Sequence, residues 1–281
     1  MGVALPPSLS PSSVSAFKDC PLAFKFAYLE RLPEPPSAPA SKGTLVHRAL
    51  ERVMCRVPED RTHDAAHADL ATARAELAEH PEFAGLGLTD EEWDTFHADA
   101  AKLVDRYFEL EDPTRIRPIG LELKLTAKIG KVTLRGIIDR LEIDDDGEWV
   151  VTDYKTGSVP SEFKEQARLA GVHIYALLCE QMLGRRPARV RLLYLSKPEM
   201  IIARPSEQSV SGVARRTSAI WTAIERACAV DDFRPNPGYL CGHCAFQPYC
   251  PAHGGDPAMA RELLGPGTVL SPTLPLAGIA S

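Results

Sequence analysis

Apolar and β-branched residues recur in short runs over residues 121–157, and the runs are separated by glycines and by the segment Asp-Asp-Asp-Gly. Period-two alternation bounded by turn residues is typical of β-strands joined in hairpins. The pattern therefore predicts a three-stranded meander, with strands near 121–128, 131–143 and 148–156.

Two carboxylates and a lysine lie in this meander, Asp139 in the middle strand and Asp153 with Lys155 in the last. Side chains alternate between the faces of a strand, so Asp153 and Lys155 share a face that Tyr154 does not. A three-residue loop ending at a left-handed Gly147 would place Asp139 directly opposite Asp153. A two-residue loop would instead pair Asp139 with Tyr154 and split the group between faces.

We favour the three-residue loop, because two facing carboxylates imply a partner of opposite charge. At about 4 Å and an effective dielectric constant of about 20, two unit charges repel by about 4 kcal/mol. A divalent cation between the carboxylates removes that cost, and oxygen ligands suit Mg²⁺ or Mn²⁺. The meander is therefore predicted to contain a metal site at Asp139 and Asp153.

Helical periodicity and capping residues predict helices on both sides of the meander. They begin near Ser10, Leu22, Gly43, 64, Thr89, Ser161 and Ser206, and a proline-rich linker occupies 31–41. Two further strands are predicted at 188–196 and 200–203. A strand, a helix and a strand in succession form a right-handed crossover, so 148–156 and 188–196 should be parallel.

These elements predict an α/β fold with a mixed central sheet, an antiparallel meander plus a parallel crossover strand, flanked by helices. We interpret 8–252 as a single domain with a helical insertion near 56–112. A flexible N-terminus at 1–7 and a disordered tail at 253–281 complete the chain.

Composition gives the broad class of the protein. The chain has 281 residues, 44% of them hydrophobic and 25% charged, with a mean hydropathy of −0.14. No apolar run approaches the roughly 20 residues of a membrane span, and no signal peptide is recognised at the N-terminus. We therefore expect a cytoplasmic protein without membrane association.

The net charge of −6 argues against affinity for nucleic acid that rests on overall charge alone. A local basic groove is still compatible with it. The densest basic run contains Arg185 and Arg186, followed by Arg189 and Arg191. This run is interpreted either as a solvated surface or as a track for phosphates.

Seven cysteines in a cytoplasmic protein indicate metal binding or free thiols more than disulfides. Cys241, Cys244 and Cys250 lie within ten residues, and this spacing is typical of a metal site. The fourth ligand is His243, His253 or the remote Cys20. Spacing leaves Zn²⁺ and an iron–sulfur cluster both open, because both accept four thiolates.

Several motifs together resemble a known family. They are GIIDR, DYKTG, a following helix that contains a tyrosine, GTLVH, and SPSSVSAFKDCPLAFKF together with Cys-x2-Cys-x5-Cys. Together, and in the order in which they follow one another along residues 8–252, they resemble the RecB-type branch of the PD-(D/E)XK nuclease superfamily. The cysteine-containing motifs are similar to those of its iron–sulfur members, the RecB-family exonucleases and the CRISPR-adaptation nucleases.

The resemblance implies a restriction-endonuclease-like core and a set of site residues. Asp139 and Asp153 match the family's two acids, and Lys155 matches its lysine. His47, which alone would be interpreted as a structural histidine, matches the metal-binding histidine of the early helix. Tyr175 matches the tyrosine of a Gln-x3-Tyr motif.

Two positions of that helix depart from the family's motif. Gly171 stands where the family has glutamine, and Gln166 lies nine residues before Tyr175. Glu122, in the first strand of the meander, is a further candidate acid.

The resemblance also implies cofactors. His47, Asp139, Asp153 and the Tyr154 carbonyl would hold Mg²⁺ or Mn²⁺, while Lys155 would orient a water molecule. The resemblance also implies a [4Fe–4S] cluster that joins the N- and C-terminal segments, with Zn²⁺ as the alternative. Its ligands would be Cys20, Cys241, Cys244 and Cys250.

The implied activity is hydrolysis of DNA phosphodiesters to 5′-phosphate and 3′-hydroxyl ends. We expect an exonuclease that acts on single-stranded DNA or DNA ends in repair or recombination, with a possible helicase or repair partner. The alternative is a nuclease-fold module of weak or absent activity that binds DNA or a partner protein.

Overall fold

The structure is a computed structural model that describes residues 2–160 and 162–262, without the side chains of 162–170, 261 and 262. The predicted cap Ser161, the side chain of Gln166 and residues 263–281 therefore lie outside the described residues. Within them the chain forms two compact units. The first comprises 2–35, 127–135 and 212–262, and the second comprises 36–126 and 136–211.

The described residues form a five-stranded mixed sheet in the order β1-β2-β3-β4-β5, with helices flanking it. The strands are β1 Pro118–Ile129, β2 Val132–Ile143, β3 Trp149–Lys155, β4 Arg189–Tyr194 and β5 Glu199–Ala203. β3 and β4 are parallel, whereas β2–β3 and β4–β5 are antiparallel. The predicted α/β class and the parallel crossover strand are confirmed.

Helices precede and follow the strands in the chain, and one of them connects β3 to β4. They are α1 Pro11–Asp19, α2 Pro21–Phe24, α3 Ala38–Cys55, α4 His63–Leu77, α5 Pro81–Ala84, α6 Asp90–Leu110, α7 Glu162–Leu183, α8 Glu207–Val230 and α9 Pro257–Glu262. A π-helix spans Lys25–Glu30. Short 3-10 turns occupy Pro58–Asp60, Pro113–Arg115, Tyr239–His243, Gln247–Tyr249 and Pro251–His253.

The pairing of β2 with β3 has the predicted register. Its pairs run from Ile143 opposite Trp149 to Arg140 opposite Thr152. One step further along the same register brings residue 139 opposite residue 153. Asp139 and Asp153 therefore face each other across neighbouring strands, as the three-residue loop requires.

The loop itself closes as expected. Gly147 has a φ of 76°, in the left-handed region that favours glycine. The N–H of Gly147 donates to the carbonyl of Asp144 at 3.0 Å, and the N–H of Asp144 donates to the carbonyl of Glu148 at 3.0 Å. The two-residue alternative is therefore wrong.

In the second unit, α3, α4 and α6 enclose an apolar core that also takes in Tyr154 from β3. The Thr89–Glu92 capping box begins α6 as predicted. α3 begins at Ala38, inside the segment predicted to be a linker, and Pro39 lies in its first turn. Proline is compatible with a first helical turn because the N–H it lacks has no intrahelical acceptor there.

In the first unit, Ser10 and Ser13 form the capping box that begins α1. The helix predicted to begin near Leu22 does not continue as a single α-helix. Instead, α2 passes into the π-helix, which ends at Arg31 with a left-handed φ of 53°.

The ends of the described chain meet inside the first unit. The N–H of Val3 donates to the carbonyl of Cys228 at 2.8 Å, and the buried Lys25 forms an ion pair with Asp231 at 2.5 Å. Leu9 bridges to Leu134 of β2. The beginning of the predicted tail contains α9, and the disorder of 263–281 stays a prediction.

Gly136 allows α7 to pack closely on β2. A Cβ at Gly136 would lie 2.8 Å from Leu178 Cδ1 and 3.4 Å from Tyr175 Cε1, both on α7. By contrast, a Cβ at Gly171 on the same helix would meet no heavy atom within 4 Å. A methyl group at Gly136 would therefore crowd α7, whereas one at Gly171 would fit without contact.

We expect Gly136→Ala to lower the free energy of unfolding by about 1–3 kcal/mol through overpacking. Gly171→Ala is the matched control, and we expect it to raise that free energy by about 0.5–1 kcal/mol, because alanine is the better helix former. Urea unfolding of the two variants checks both signs. Equal effects of the two substitutions would contradict the close packing of α7 on β2.

Candidate active site

Five predicted side chains of the second unit converge beside β2 and β3. Asp139 and Asp153 are 8% and 4% exposed. His47 Nδ1 on α3 lies 3.4 Å from Asp139 Oδ2, and Lys155 Nζ lies 2.6 Å from Asp153 Oδ2. The Tyr175 hydroxyl, from α7, donates to Asp153 Oδ1 at 3.3 Å. The structure thus brings together residues that lie up to 128 positions apart.

The main chain fixes the orientation of Asp139. The backbone N–H of Tyr154 donates to Asp139 Oδ2 at 2.7 Å, in a fully buried hydrogen bond. A charge-assisted bond of this kind holds a carboxylate in one orientation. The Tyr154 carbonyl, which the family resemblance implies as a metal ligand, lies in β3, and that role stays a prediction.

Two polar atoms in the site are buried without a hydrogen-bonding partner among the described residues, His47 Nε2 and Asp153 Oδ2. The lysine approaches the latter as a charge contact without hydrogen-bond geometry. Buried polar atoms in native proteins are almost always satisfied, so each unpaired one requires an explanation. Imidazole nitrogen and carboxylate oxygen are both donor atoms for divalent metals.

A metal ion would fit the donor atoms that meet here. Ligand atoms of His47, Glu122 and Asp139 all lie within 4.8 Å of one another. One nitrogen and several carboxylate oxygens form a mixed set suited to Mn²⁺ or Mg²⁺. The donor set is therefore compatible with the predicted metal site, in which Glu122 was a further candidate acid.

Glu122 has two unusual properties. Its φ is 43°, the left-handed region that a residue with a Cβ rarely adopts, although it lies within β1. Burial, with a further contribution from the Asp139 charge, raises the pKa of Glu122 to about 7. Strained backbone is retained where the surrounding structure enforces it, often at functional sites.

The other charged groups of the site shift one another's pKa values. Burial lowers the pKa of His47, but the Asp139 carboxylate raises it, and the net direction is upward. Burial raises the pKa of Asp139, but His47 and Lys155 outweigh it, and the net direction is downward.

The pKa of the second carboxylate, Asp153, shifts in the opposite direction. Burial raises the pKa of Asp153, Asp139 adds to this, and the net direction is upward although Lys155 opposes it. Neighbouring carboxylates whose pKa values move apart can take different protonation states, as sites of proton transfer require.

The arginines predicted as a phosphate track lie away from these residues and are occupied in ion pairs. Arg185 pairs with Glu148 at 2.8 Å and covers the ring of Trp149, next to the loop at 145–147. Arg186 pairs with Glu180 at 2.6 Å. The structure does not bring either arginine to the acids, and their role in DNA binding stays a prediction.

The four predicted cluster ligands lie in the first unit, and all of them are free thiols of intermediate exposure: Cys20, Cys241, Cys244 and Cys250. Burial, with the charges of the other three thiols, raises the pKa of Cys244, while the N–H of Phe246 opposes the rise. Thiols that suppress one another's ionisation in this way are suited to a shared cation.

Backbone groups are directed at two of these sulfur atoms. The N–H of Asn236 donates to Cys20 Sγ at 3.5 Å, and the N–H of Gly238 donates to Cys241 Sγ at 3.3 Å. Hydrogen bonds to sulfur stabilise thiolates and tune iron–sulfur centres. The sulfur environment is therefore compatible with a four-thiolate metal group.

Arg140 is a residue that the sequence analysis missed. It is fully buried next to Asp139 and donates to Tyr154, Glu111 and Glu142. A signal was present, because the charged Arg140 and Glu142 share one face of a strand in a predicted central sheet that is flanked by helices. Charges at such positions indicate a buried, paired network.

Comparisons with known proteins were made for the sequence and for the fold. The model of the PD-(D/E)XK nuclease superfamily matches residues 8–251. No curated protein shows a significant sequence match. No helix among the described residues is both long and apolar enough to cross a membrane.

Two solved structures are similar in fold. A protein of Eubacterium rectale, named provisionally as an exonuclease, has 11% identity and a TM-score of 0.57, covering 85% of this chain and 87% of its own. A protein named SSO0001 has 11% identity and a TM-score of 0.43, covering 89% of each chain. At this identity the first supports the fold alone.

We expect the stability of the metal-free protein to fall between pH 4.5 and about 7 because of Glu122. In this window the folded protein retains a proton that the unfolded chain, with an ordinary pKa near 4.5, has released. The stabilisation is full below pH 4.5 and is lost as the pH rises through 7, with a size of up to about 3 kcal/mol.

The measurement is urea unfolding of wild type and Glu122→Gln in EDTA from pH 5 to 8. Glutamine does not titrate, so the variant should become more stable relative to wild type as the pH rises. Two profiles that stay parallel over this range would show that Glu122 is solvated like a surface residue.

Proposed function

Since the chain belongs to the PD-(D/E)XK nuclease superfamily, we propose that it is a metal-dependent deoxyribonuclease that hydrolyses phosphodiester bonds. One observation carries this proposal. Asp139 and Asp153 face each other in a buried site together with Lys155 and His47, and the potential metal donor His47 Nε2 has no hydrogen-bonding partner among the described residues. An arrangement kept for packing alone would not bury two carboxylates face to face.

In the proposed reaction His47, Asp139 and Asp153 would hold Mg²⁺ or Mn²⁺, and Glu122 would complete the donor set. The bound ion supplies Lewis-acid stabilisation of the phosphate oxygens and makes a water molecule more acidic. Lys155, 2.6 Å from Asp153, orients the attacking water and stabilises negative charge on the phosphate. The Tyr175 hydroxyl holds Asp153 in position.

We propose single-stranded DNA or DNA ends as the substrate and exonucleolytic action as the mode, in repair or recombination with a helicase or repair protein as partner. The family match supports a nuclease, and the provisional name of the Eubacterium rectale protein agrees with exonuclease action. The products would be 5′-phosphate and 3′-hydroxyl ends. Free thiols would remain reduced in the cytoplasm, where we place the protein.

We further propose a [4Fe–4S] cluster held by Cys20, Cys241, Cys244 and Cys250, with a structural role. Its support is the set of four free thiols, together with backbone N–H groups directed at the sulfur atoms of Cys20 and Cys241. Because Cys20 lies more than 200 positions before the others, the cluster would tie the two ends of the first unit together. A zinc ion on the same thiols is the alternative.

The second candidate function is a nuclease-fold module without strong activity, which binds DNA or a partner protein. Gly171 favours it, because the position of the family's glutamine carries no side chain and opens onto free space. The acids and the lysine of the site count against it.

We expect wild type to degrade end-labelled linear single-stranded DNA with Mn²⁺ or Mg²⁺ and to spare circular single-stranded DNA. Asp153→Ala should lower the rate by about 10³-fold, because the contribution of a metal ion is worth several kcal/mol. Lys155→Ala should lower it by about 10²–10³-fold.

Asp145→Asn is the matched control for this assay, because Asp145 is an exposed carboxylate in the loop of the same hairpin. It should cleave like wild type. Activity that persists in Asp153→Ala and Lys155→Ala would refute the site, and a wild type that binds DNA without cleaving it would favour the second candidate.

We expect the protein purified without oxygen to be brown and to absorb near 400 nm, and Cys20→Ser to lose this absorption. Cys55→Ser is the matched control, since Cys55 is an exposed thiol on α3 and should leave the colour unchanged. Iron and zinc analysis completes the test. A colourless wild type with one zinc per chain would show that the four thiols bind zinc and not an iron–sulfur cluster.

A further inference from the structure

Arg140 is held rigidly behind the candidate metal site. Its side chain is fully buried and points to the face of β2 opposite Asp139, since neighbouring residues of a strand alternate. Its Nη2 donates to both carboxylate oxygens of Glu111, at 2.8 and 2.7 Å, and its Nε donates to Glu142.

The charges around Arg140 balance. Arg191 Nη1 lies 3.0 Å from Glu142 and 3.4 Å from Glu111, so two arginines meet two glutamates. A buried ionic network is stable only when its members are paired and hydrogen-bonded, and it then has little freedom to move. The guanidinium of Arg140 is therefore a fixed point of the structure.

Arg140 contacts the hydroxyl end of the Tyr154 side chain. Its Nη1 donates to the Tyr154 hydroxyl at 2.8 Å, and the guanidinium carbon lies 5.6 Å from the centre of the ring. The phenol is thus held at its oxygen by a charged donor, and its ring is part of the core of the second unit.

Tyr154 in turn contacts two of the candidate metal ligands. Its backbone N–H donates to Asp139 Oδ2 at 2.7 Å. Its ring packs edge-on against the His47 imidazole, with centroids 5.7 Å apart and an angle of 89° between the planes. A single residue therefore limits the orientation of a carboxylate on β2 and of an imidazole on α3.

We propose that Arg140 and Tyr154 are positioning residues of the metal site. Arg140 fixes the hydroxyl of Tyr154, and Tyr154 then fixes the oxygen of Asp139 and the ring plane of His47. This inference rests on the proposed function, and it predicts that the hydroxyl of Tyr154 contributes to metal affinity although it faces away from the metal. Groups that orient metal ligands commonly contribute 10–100-fold to affinity.

Tyr107 provides a matched control within the same cluster. Its hydroxyl lies 3.4 Å from the same Arg140 nitrogen, and its ring packs on that of Tyr154 at 5.8 Å. It belongs to α6 rather than to a strand that carries an acid. Tyr107→Phe therefore removes a hydroxyl from the same guanidinium without a direct link to Asp139 or His47.

The experiment measures Mn²⁺ affinity by electron paramagnetic resonance, and thermal unfolding in parallel, for Tyr154→Phe, Tyr107→Phe and wild type of the full chain. Asp139→Asn gives the background from other Mn²⁺ sites. We expect Tyr154→Phe to weaken Mn²⁺ binding by about tenfold or more, whereas Tyr107→Phe binds like wild type. In DNA cleavage, Tyr154→Phe should need more Mn²⁺ for half-maximal rate and regain most of the rate at saturation.

Arg140→Lys gives a second measurement, because lysine keeps the charge but lacks the forked donors that reach Tyr154 and Glu111 together. The double variant Arg140→Lys/Tyr154→Phe should bind Mn²⁺ no more weakly than the weaker single variant, since both act through one contact. Independent losses that multiply in the double variant would overturn the proposal.

The outcomes separate this proposal from the proposed function. If wild type binds Mn²⁺ and cleaves DNA while Tyr154→Phe matches Tyr107→Phe in affinity, the positioning role is overturned and the nuclease remains. If wild type neither binds Mn²⁺ at Asp139 nor cleaves DNA, both are overturned. A purely structural role for the network would lower the melting temperature of both tyrosine variants and leave both affinities unchanged.

Discussion

The repulsion between two buried carboxylates is the constraint around which the second unit is organised. Asp139 and Asp153 face each other with little access to water, where like charges are least screened. The structure compensates by placing cationic groups on both sides, an imidazole from α3 and the ammonium of Lys155. Compensation is incomplete, because Glu122 adds a third acid whose ligand atom lies within 4.8 Å of those of His47 and Asp139. The site is therefore arranged for a further positive charge.

This constraint explains why elements far apart in sequence meet at this point. α3 contributes His47 before the sheet, and α7 contributes Tyr175 after it, close to β2 because Gly136 has no side chain. On the reverse face of the same two strands, Arg140 balances the glutamates that surround it. The two faces therefore differ in charge balance. The charges around Arg140 neutralise one another, whereas the face with Asp139 and Asp153 has an excess of acidic groups.

Much of this could be predicted from the sequence. Strand alternation, the turn residues at 144–147 and the helical periods depend on near neighbours, and these gave the meander, its register and the crossover. The family resemblance added His47 and Tyr175, whose proximity to the acids no local pattern encodes. The start of α3 and the π-helix at Lys25–Glu30 were not predicted, because tertiary packing decides where a proline-rich segment becomes helical. The buried partners of Arg140 and the strained φ of Glu122 also depend on contacts between distant segments.

The loop between β2 and β3 makes the site depend on residue number as well as residue type. Because faces alternate at every residue, adding or removing one residue between Ile143 and Trp149 would remove Asp153 and Lys155 from the face that carries Asp139. The exposed carboxylates of Asp145 and Asp146 form only surface ion pairs, with Arg115 and Arg189, which stabilise little; for the register of the site, the number of loop residues therefore matters more than their identities. A chimera with a relative should therefore exchange this hairpin whole, with both strands and the loop taken from one parent.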